Sequence, residues 1–212
     1  VGLEQAFIKY LECNKPALNR EFIPIQWSDF YFSKLFKENP DLSPIQDVLN
    51  NLDTSKKYFT VVEIEEGVVN DYSHIDLVTF SPGGNGHIPI PYPTKKMNKL
   101  DTERTTLCTF MGSIESHPIR EEMFDMFKNT DGFEMWKSTT TTMYEYTLST
   151  AIFSLCPRGR GPGSYRFFES LYMGCIPVYV SDVFLTPFQE NIDWNRLCIM
   201  VNLEDIQNIP NI

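Results

Sequence analysis

"CPRGRGPGSYRFFESLYMGCIPVYVSD", residues 156–182, decides how this chain is to be read. An apolar, strand-like run, TAIFSLCP (150–157), leads into it, and a second, IPVYVSD (176–182), closes it. Between them GSYRFFESLYMG (163–174) has helical character and ends at Gly174. Strand, turn, helix and strand in this order make a βαβ unit, which implies parallel strands. The turn carries glycines at 159, 161 and 163, so its backbone can approach a ligand closely. Ser164 is placed to cap the helix, leaving N–H donors at a positive dipole end. Arg158, Arg160 and Arg166 add cations that grip phosphate oxygens through paired bonds. Glu169, three residues after Arg166, shares its helix face. The plainer reading is a glycine-rich turn with a surface Arg–Glu pair. A pyrophosphate site is the stronger one, because the flanking strands put this turn at a sheet edge, where ligands bind.

Outward from this unit the alternation continues. TTLCTFMGS (105–113) reads as a strand, HPIREEMFDMFKN (117–129) as an amphipathic helix and LCIMVN (197–202) as a last strand. STTTTMY (138–144) is polar and β-branched and receives no assignment. Toward the N-terminus, LEQAFIKYLECN (3–14) is a helix and FIPIQWSDF (22–30) a short strand entering a loop. FSKLFKEN (32–39) is helical up to Pro40, and SPIQDVLNNL (43–52) is a helix with Ser43 as N-cap and Pro44 at N1. KKYFTVVEIEE (56–66) is a strand stopped at Gly67, and HIDLVTFS (74–81) is another, ended by Pro82-Gly83-Gly84. The proline-rich stretch 88–103 is the candidate linker. The expected fold class is α/β, two halves with parallel sheets, 1–98 and 99–212, on either side of this hinge.

The formal net charge of −10 speaks against a nucleic-acid or anionic-membrane binder, while leaving room for one focused anion site. Five cysteines without a CxxC pair suggest reduced, buried thiols. No apolar run is long enough to span a bilayer, so the chain is expected to be soluble and cytoplasmic.

The chain has no GxxxxGK[ST], and GRGPGSYRF departs from GxGxxG, which disfavours a P-loop enzyme and a dinucleotide oxidoreductase. An arginine-rich turn backed by a helical glutamate suits a nucleotide-sugar, the glutamate taking ribose hydroxyls and the cations the diphosphate. No DxD pattern or clustered metal-ligand set appears.

The run CPRG-x-G-x-x-S-x-R-x-x-E-x-x-x-x-G-x-IPV, then PF and IDW, is present as Cys156–Gly159, Gly161, Ser164, Arg166, Glu169, Gly174, Ile176–Val178, Pro187, Phe188 and Ile192–Trp194. Through it the chain closely resembles the exostosin-like glycosyltransferases. FMGSIESHPIREEMF, with Gly112 and Arg120, is similar to the family's first strand–turn–helix of the same domain. The resemblance implies an inverting GT-B glycosyltransferase without a metal requirement, an α/β fold of two Rossmann-like domains with a cleft between them. It implies donor contacts from Gly112, Arg120, Arg158, Gly161, Ser164, Arg166 and Glu169; Tyr165, beside Ser164, joins the donor-site candidates, and Asp182, at the end of IPVYVSD, is placed to contact donor sugar hydroxyls. It also implies a nucleotide-sugar donor, expected to be UDP-linked, and a glycan or glycoprotein acceptor. Family members without anchors occur in large algal viruses, which makes UDP-xylose the expected donor. The chain departs from the family at KYFTVVEIEEG, where Glu65 or Glu66 replaces the usual aspartate. Inverting transfer needs a base for the acceptor hydroxyl, and Glu65 is the first candidate, with Asp29 and His87 behind it. The alternative is a non-catalytic nucleotide- or glycan-binding module.

Overall fold

The computed structural model describes residues 2–14, 16–30, 41–65, 67–137 and 140–211. The helix read in 32–39, Glu66 and part of STTTTMY lie outside the described residues. The chain divides into two compact units, Val1–Pro91 and Tyr92–Ile212, and the division falls inside the proline-rich stretch. Each unit is built on its own parallel sheet.

In the first unit the strands β1 (Glu21–Phe22), β2 (Lys57–Val61), β3 (Asp76–Ser81) and β4 (Ile88–Pro89) lie in sequence order. Side chains along β2 alternate between two covered faces. Tyr58 packs with Ile45 and Leu49 of helix α2 (Ser43–Asn50), with Trp27 and Leu77 completing that core. Phe59 faces the other way, its ring 6.2 Å from Phe7 of helix α1 (Leu3–Asn14) and 5.2 Å from Phe22. Trp27 Nε1 donates to Thr60 Oγ1 at 2.8 Å, and that hydroxyl donates to the Ile23 carbonyl.

Three expectations for this unit need correction. The residue before α2 is Leu42, and Ser43 is helical, because Asp41 Oδ1 accepts from both the Ser43 amide and its hydroxyl. Strand β2 stops at Val61, well short of Glu65. Its ladder ends because the amide after that of Val62, Glu63 N–H, donates to Glu4 Oε1 at 2.9 Å. The candidate linker opens with β4, where Pro89 sits on the sheet edge and needs no ladder donor.

The second unit orders its strands β6-β5-β7-β8-β9: β5 (Thr106–Met111), β6 (Phe133–Trp136), β7 (Ala151–Pro157), β8 (Ile176–Val180) and β9 (Ile199–Val201). Helix α3 (Pro118–Phe127) places Ile119, Met123 and Phe127 on Phe110, Leu155 and Val178. Helix α5 (Tyr165–Met173) places Phe167 in a second cluster with Cys156, Tyr179 and Trp194. Gly174, at φ 73°, stops α5, and its amide and that of Cys175 bond back to the last turn.

Strand β6, helix α4 (Thr141–Thr150) and the closing 3-10 segment Leu203–Asn211 have no counterpart in the sequence reading. α4 forms although threonine is a weak helix former. Thr140 accepts from Met143 N–H, Thr147 and Thr150 bond back to preceding carbonyls, and residues 147–150 are buried. Among the described residues no helix is long and apolar enough to cross a membrane. All five cysteines are free, four of them buried, and burial raises the thiols of Cys156 and Cys175 to about 11 and about 12.

Candidate donor-binding site

The order β6-β5-β7-β8-β9 makes the chain leave β5 to one side and return through β7 on the other. The turns after these two strands therefore diverge and open a crevice at the carboxyl edge of the sheet, the usual ligand position in such folds. The turn after β5 carries Gly112, Ser116 and His117; the turn after β7 carries Arg158, Gly161 and Ser164; Asp182 follows β8.

Arg120, on α3, joins the two turns. Its Nε donates to the Arg158 carbonyl at 2.7 Å, Nη2 to Pro157 O at 3.1 Å and Nη1 to Ser113 O at 3.0 Å. Its guanidinium thus braces the crevice instead of presenting a full fork to a ligand. Burial and then the charge of Arg166 bring its pKa down to about 10, still cationic at neutral pH.

Arg166 is buried, and its Nη2 donates to the Met111 carbonyl at the end of β5. Its guanidinium carbon lies 5.0 Å from the ring centroids of both Phe110 and Tyr144. Gly112 makes this passage possible, because a Cβ there would stand 2.7 Å from Arg166 Nη2. Nη1 is buried and has no hydrogen-bond partner among the described residues. An unmet buried guanidinium donor is costly, which is the condition of a group that an anion would satisfy.

Glu169 takes its hydrogen bond from Tyr144, whose hydroxyl donates to Oε2 at 2.6 Å. The helix-face pairing of Arg166 with Glu169 is thereby replaced by two separate partnerships, both involving Tyr144. Burial, only partly offset by the nearby Arg166 charge, pushes the Tyr144 hydroxyl well up, so it stays protonated as a donor.

Arg158 and Asp182 form an ion pair, with the arginine largely covered and the carboxylate half exposed. Arg158 Nη2 also donates to the Arg160 carbonyl at 3.1 Å. Burial acts against the Asp182 carboxylate, but its own amide and Arg158 outweigh that and hold its pKa below the ordinary range. Ser164 is the N-cap of α5 and makes no capping bond with its side chain, so it differs from the sequence reading in that detail. Gly161 is buried and its carbonyl accepts from Gly159 N–H at 3.1 Å. Tyr165 is exposed, its ring 4.0 Å from that of Tyr92.

Sequence reasoning missed His117. It caps α3, Nδ1 accepting from Ile119 N–H at 3.2 Å, and burial followed by the Arg158 charge holds its pKa below the ordinary value. A histidine before proline at a helix start was the available signal.

The three base candidates lie in the first unit, in segments leaving the carboxyl ends of β1, β2 and β3. Asp29 is exposed in the helical residues 27–30. Glu65 is half-buried in a turn, its carbonyl accepting from Asn85 N–H at 3.1 Å. His87 is exposed, and its Nδ1 accepts from Thr79 N–H at 3.1 Å. At the same edge Glu4, 4% exposed, accepts from Ser28 N–H and Glu63 N–H, both at 2.9 Å, while Glu63 Oε2 accepts from Leu3 N–H. Among the described residues no group of three or more His, Cys, Asp or Glu could hold a metal ion.

Residues 52–212 match the model of the exostosin GT47 domain. The chain belongs to the exostosin GT47 family. Relatives include an exostosin-1 homolog of Caenorhabditis elegans, 40% identical over 85 residues, which are 40% of this chain and 21% of that protein. A probable beta-1,4-xylosyltransferase of Arabidopsis thaliana is 34% identical over 101 residues, 48% of this chain and 24% of its own length. A probable glucuronosyltransferase of Oryza sativa subsp. japonica is 32% identical over 101 residues, 48% of this chain and 23% of its length. The chain thus spans between a fifth and a quarter of the length of these relatives.

Two α/β units on parallel sheets agree with the GT-B architecture of exostosin glycosyltransferases. The exostosin match takes in the entire second unit, with Arg158, Arg166, Glu169 and Asp182, as well as Glu65 and His87. Asp29 lies outside it.

Proposed function

We propose that this exostosin-family chain is an inverting glycosyltransferase that moves a sugar from a UDP-linked donor to a hydroxyl of a glycan. The observation that carries the reading is the buried Arg166 at the β5/β7 crevice, with a donor arm unmet among the described residues and Glu169 on the same helix. Arg166, Arg158 and the N-terminus of α5 neutralise the diphosphate as it leaves, and Glu169 takes the ribose hydroxyls. The acceptor hydroxyl attacks the anomeric carbon as the bond to the diphosphate oxygen breaks, and its proton passes to a base of the first unit. Glu65 remains the first candidate for that base, ahead of His87 and Asp29.

Asp182, half exposed beside Arg158, serves the donor sugar once the ion pair opens toward the ligand. Charge neutralisation by arginines implies transfer that persists in EDTA. The names of the plant relatives support UDP-xylose as the first donor to test and UDP-glucuronate as the second.

A panel of UDP-sugars, each with and without oligosaccharide acceptors, tests the proposal through UDP release. Acceptor-dependent release is the expected result. Tight UDP binding with no turnover across the panel would instead support a nucleotide-binding module, a reading favoured by the turn position of Glu65 outside β2.

A further inference from the structure

Tyr144 stands on α4, the helix that its threonine-rich sequence conceals. It touches two members of the donor site in different ways. Its hydroxyl donates to Glu169 Oε2 at 2.6 Å, and its ring faces the Arg166 guanidinium at 5.0 Å. Arg166 and Glu169 are three residues apart on α5, the spacing at which an arginine and a glutamate normally pair. Such a pair would occupy the Arg166 arm that no described residue meets and would turn the carboxylate inward. The tyrosine prevents this by giving Glu169 another partner.

A phenol has one proton, and here it is used on Glu169, so the oxygen keeps its lone pairs as acceptors. The carboxylate retains Oε1. Tyr144 Oη and Glu169 Oε1 therefore form a pair of neighbouring acceptors, both on half-buried side chains. A vicinal diol presents the complement, two O–H donors on adjacent carbons. A 2′-deoxyribose presents only one.

We infer that Tyr144 is the positioning residue of the donor site, holding Glu169 off Arg166 and forming with it an acceptor pair that selects a ribose diol over 2′-deoxyribose. The inference rests on the donor reading above and adds to it the residue that sets sugar selectivity of the nucleotide. Replacement of Tyr144 by phenylalanine keeps the ring on Arg166 and removes only the hydroxyl.

Calorimetric titration of UDP and of 2′-deoxy-UDP into wild type and Tyr144→Phe tests it. Loss of one charge-assisted hydrogen bond corresponds to about tenfold in affinity. Wild type is expected to bind UDP at least about tenfold more tightly than 2′-deoxy-UDP. Tyr144→Phe should weaken UDP by about tenfold and change 2′-deoxy-UDP much less, so that the preference shrinks. A merely structural role would weaken both ligands alike. Equal affinity of wild type for the two nucleotides, or an unchanged ratio in Tyr144→Phe, overturns the inference while leaving UDP as the donor nucleotide. Absence of UDP binding by wild type removes the donor reading and the inference together.

Discussion

Arg166 carries the largest share of the donor reading, and its chemistry is specific to arginine. One arm of the guanidinium holds the Met111 carbonyl, two aromatic rings lie 5.0 Å from its carbon, and the other arm has no partner among the described residues. A lysine ammonium has no second arm and no planar face to lay on a ring. Arg166→Lys should therefore raise the UDP dissociation constant by at least about tenfold in calorimetry, the value of one charge-assisted contact. Gly112→Ala tests the same group from the other side. The added methyl would meet only the far end of the Arg166 side chain, at 2.7 Å, so the fold should survive with a stability change within about 1 kcal/mol. UDP affinity should nonetheless fall several-fold as the guanidinium is displaced. Equal losses in stability and binding would mean that Gly112 serves packing alone. At this scale the sequence was partly legible: arginine, glycine and glutamate types were readable, but their pairings were not. Spacing suggested Arg166 with Glu169, whereas the Tyr144 hydroxyl, from a helix with no clear pattern, takes the carboxylate.

Helix α1 shows what an element conceals. The helix itself was readable, yet nothing in the sequence marks Glu4 for burial. Long-range bonds to Ser28 and Glu63 bury it instead, and in return Glu63 accepts the Leu3 amide at 2.7 Å. Burial is the main cause that raises the Glu4 pKa above its ordinary 4.5, only partly offset by the two amides. Folding thus raises this pKa, so the folded state binds the proton more tightly. The site's contribution to stability is fully present below pH 4.5 and declines as pH rises through the folded value. Glu4→Gln removes this titration. Urea unfolding of both proteins between pH 4.5 and 8 should show wild type losing stability relative to Glu4→Gln as pH rises; a constant difference would mean that Glu4 does not titrate abnormally. The same long-range bond ends β2 before Glu65, which local β-propensity does not reveal. α4 is hidden for a related reason, since tertiary burial of residues 147–150 overrides the propensity of its threonines.

For the molecule as a whole, the alternation of strands and helices around residues 156–182 was enough to read α/β units with parallel sheets, because βαβ connection leaves few alternatives. The β6-β5 reversal that creates the crevice was not legible, since β6 has only four residues, none of them fully buried. A net charge of −10 disfavours polyanions as partners and leaves the arginines around the crevice as a local exception. UDP at a hundred times its dissociation constant should add about 2.7 kcal/mol to the stability of the folded chain. That should appear as a rise of several degrees in thermal melting, at roughly 2–4 °C per kcal/mol. A nucleoside diphosphate of a sugar donor seated in the β5/β7 crevice is what the proposed function requires. Calorimetric titration of UDP into wild type and Glu169→Gln is the decisive experiment. Saturable one-to-one binding, weakened at least about tenfold by the substitution, is expected. No binding of UDP by wild type, or the same affinity in a folded Glu169→Gln, would contradict it.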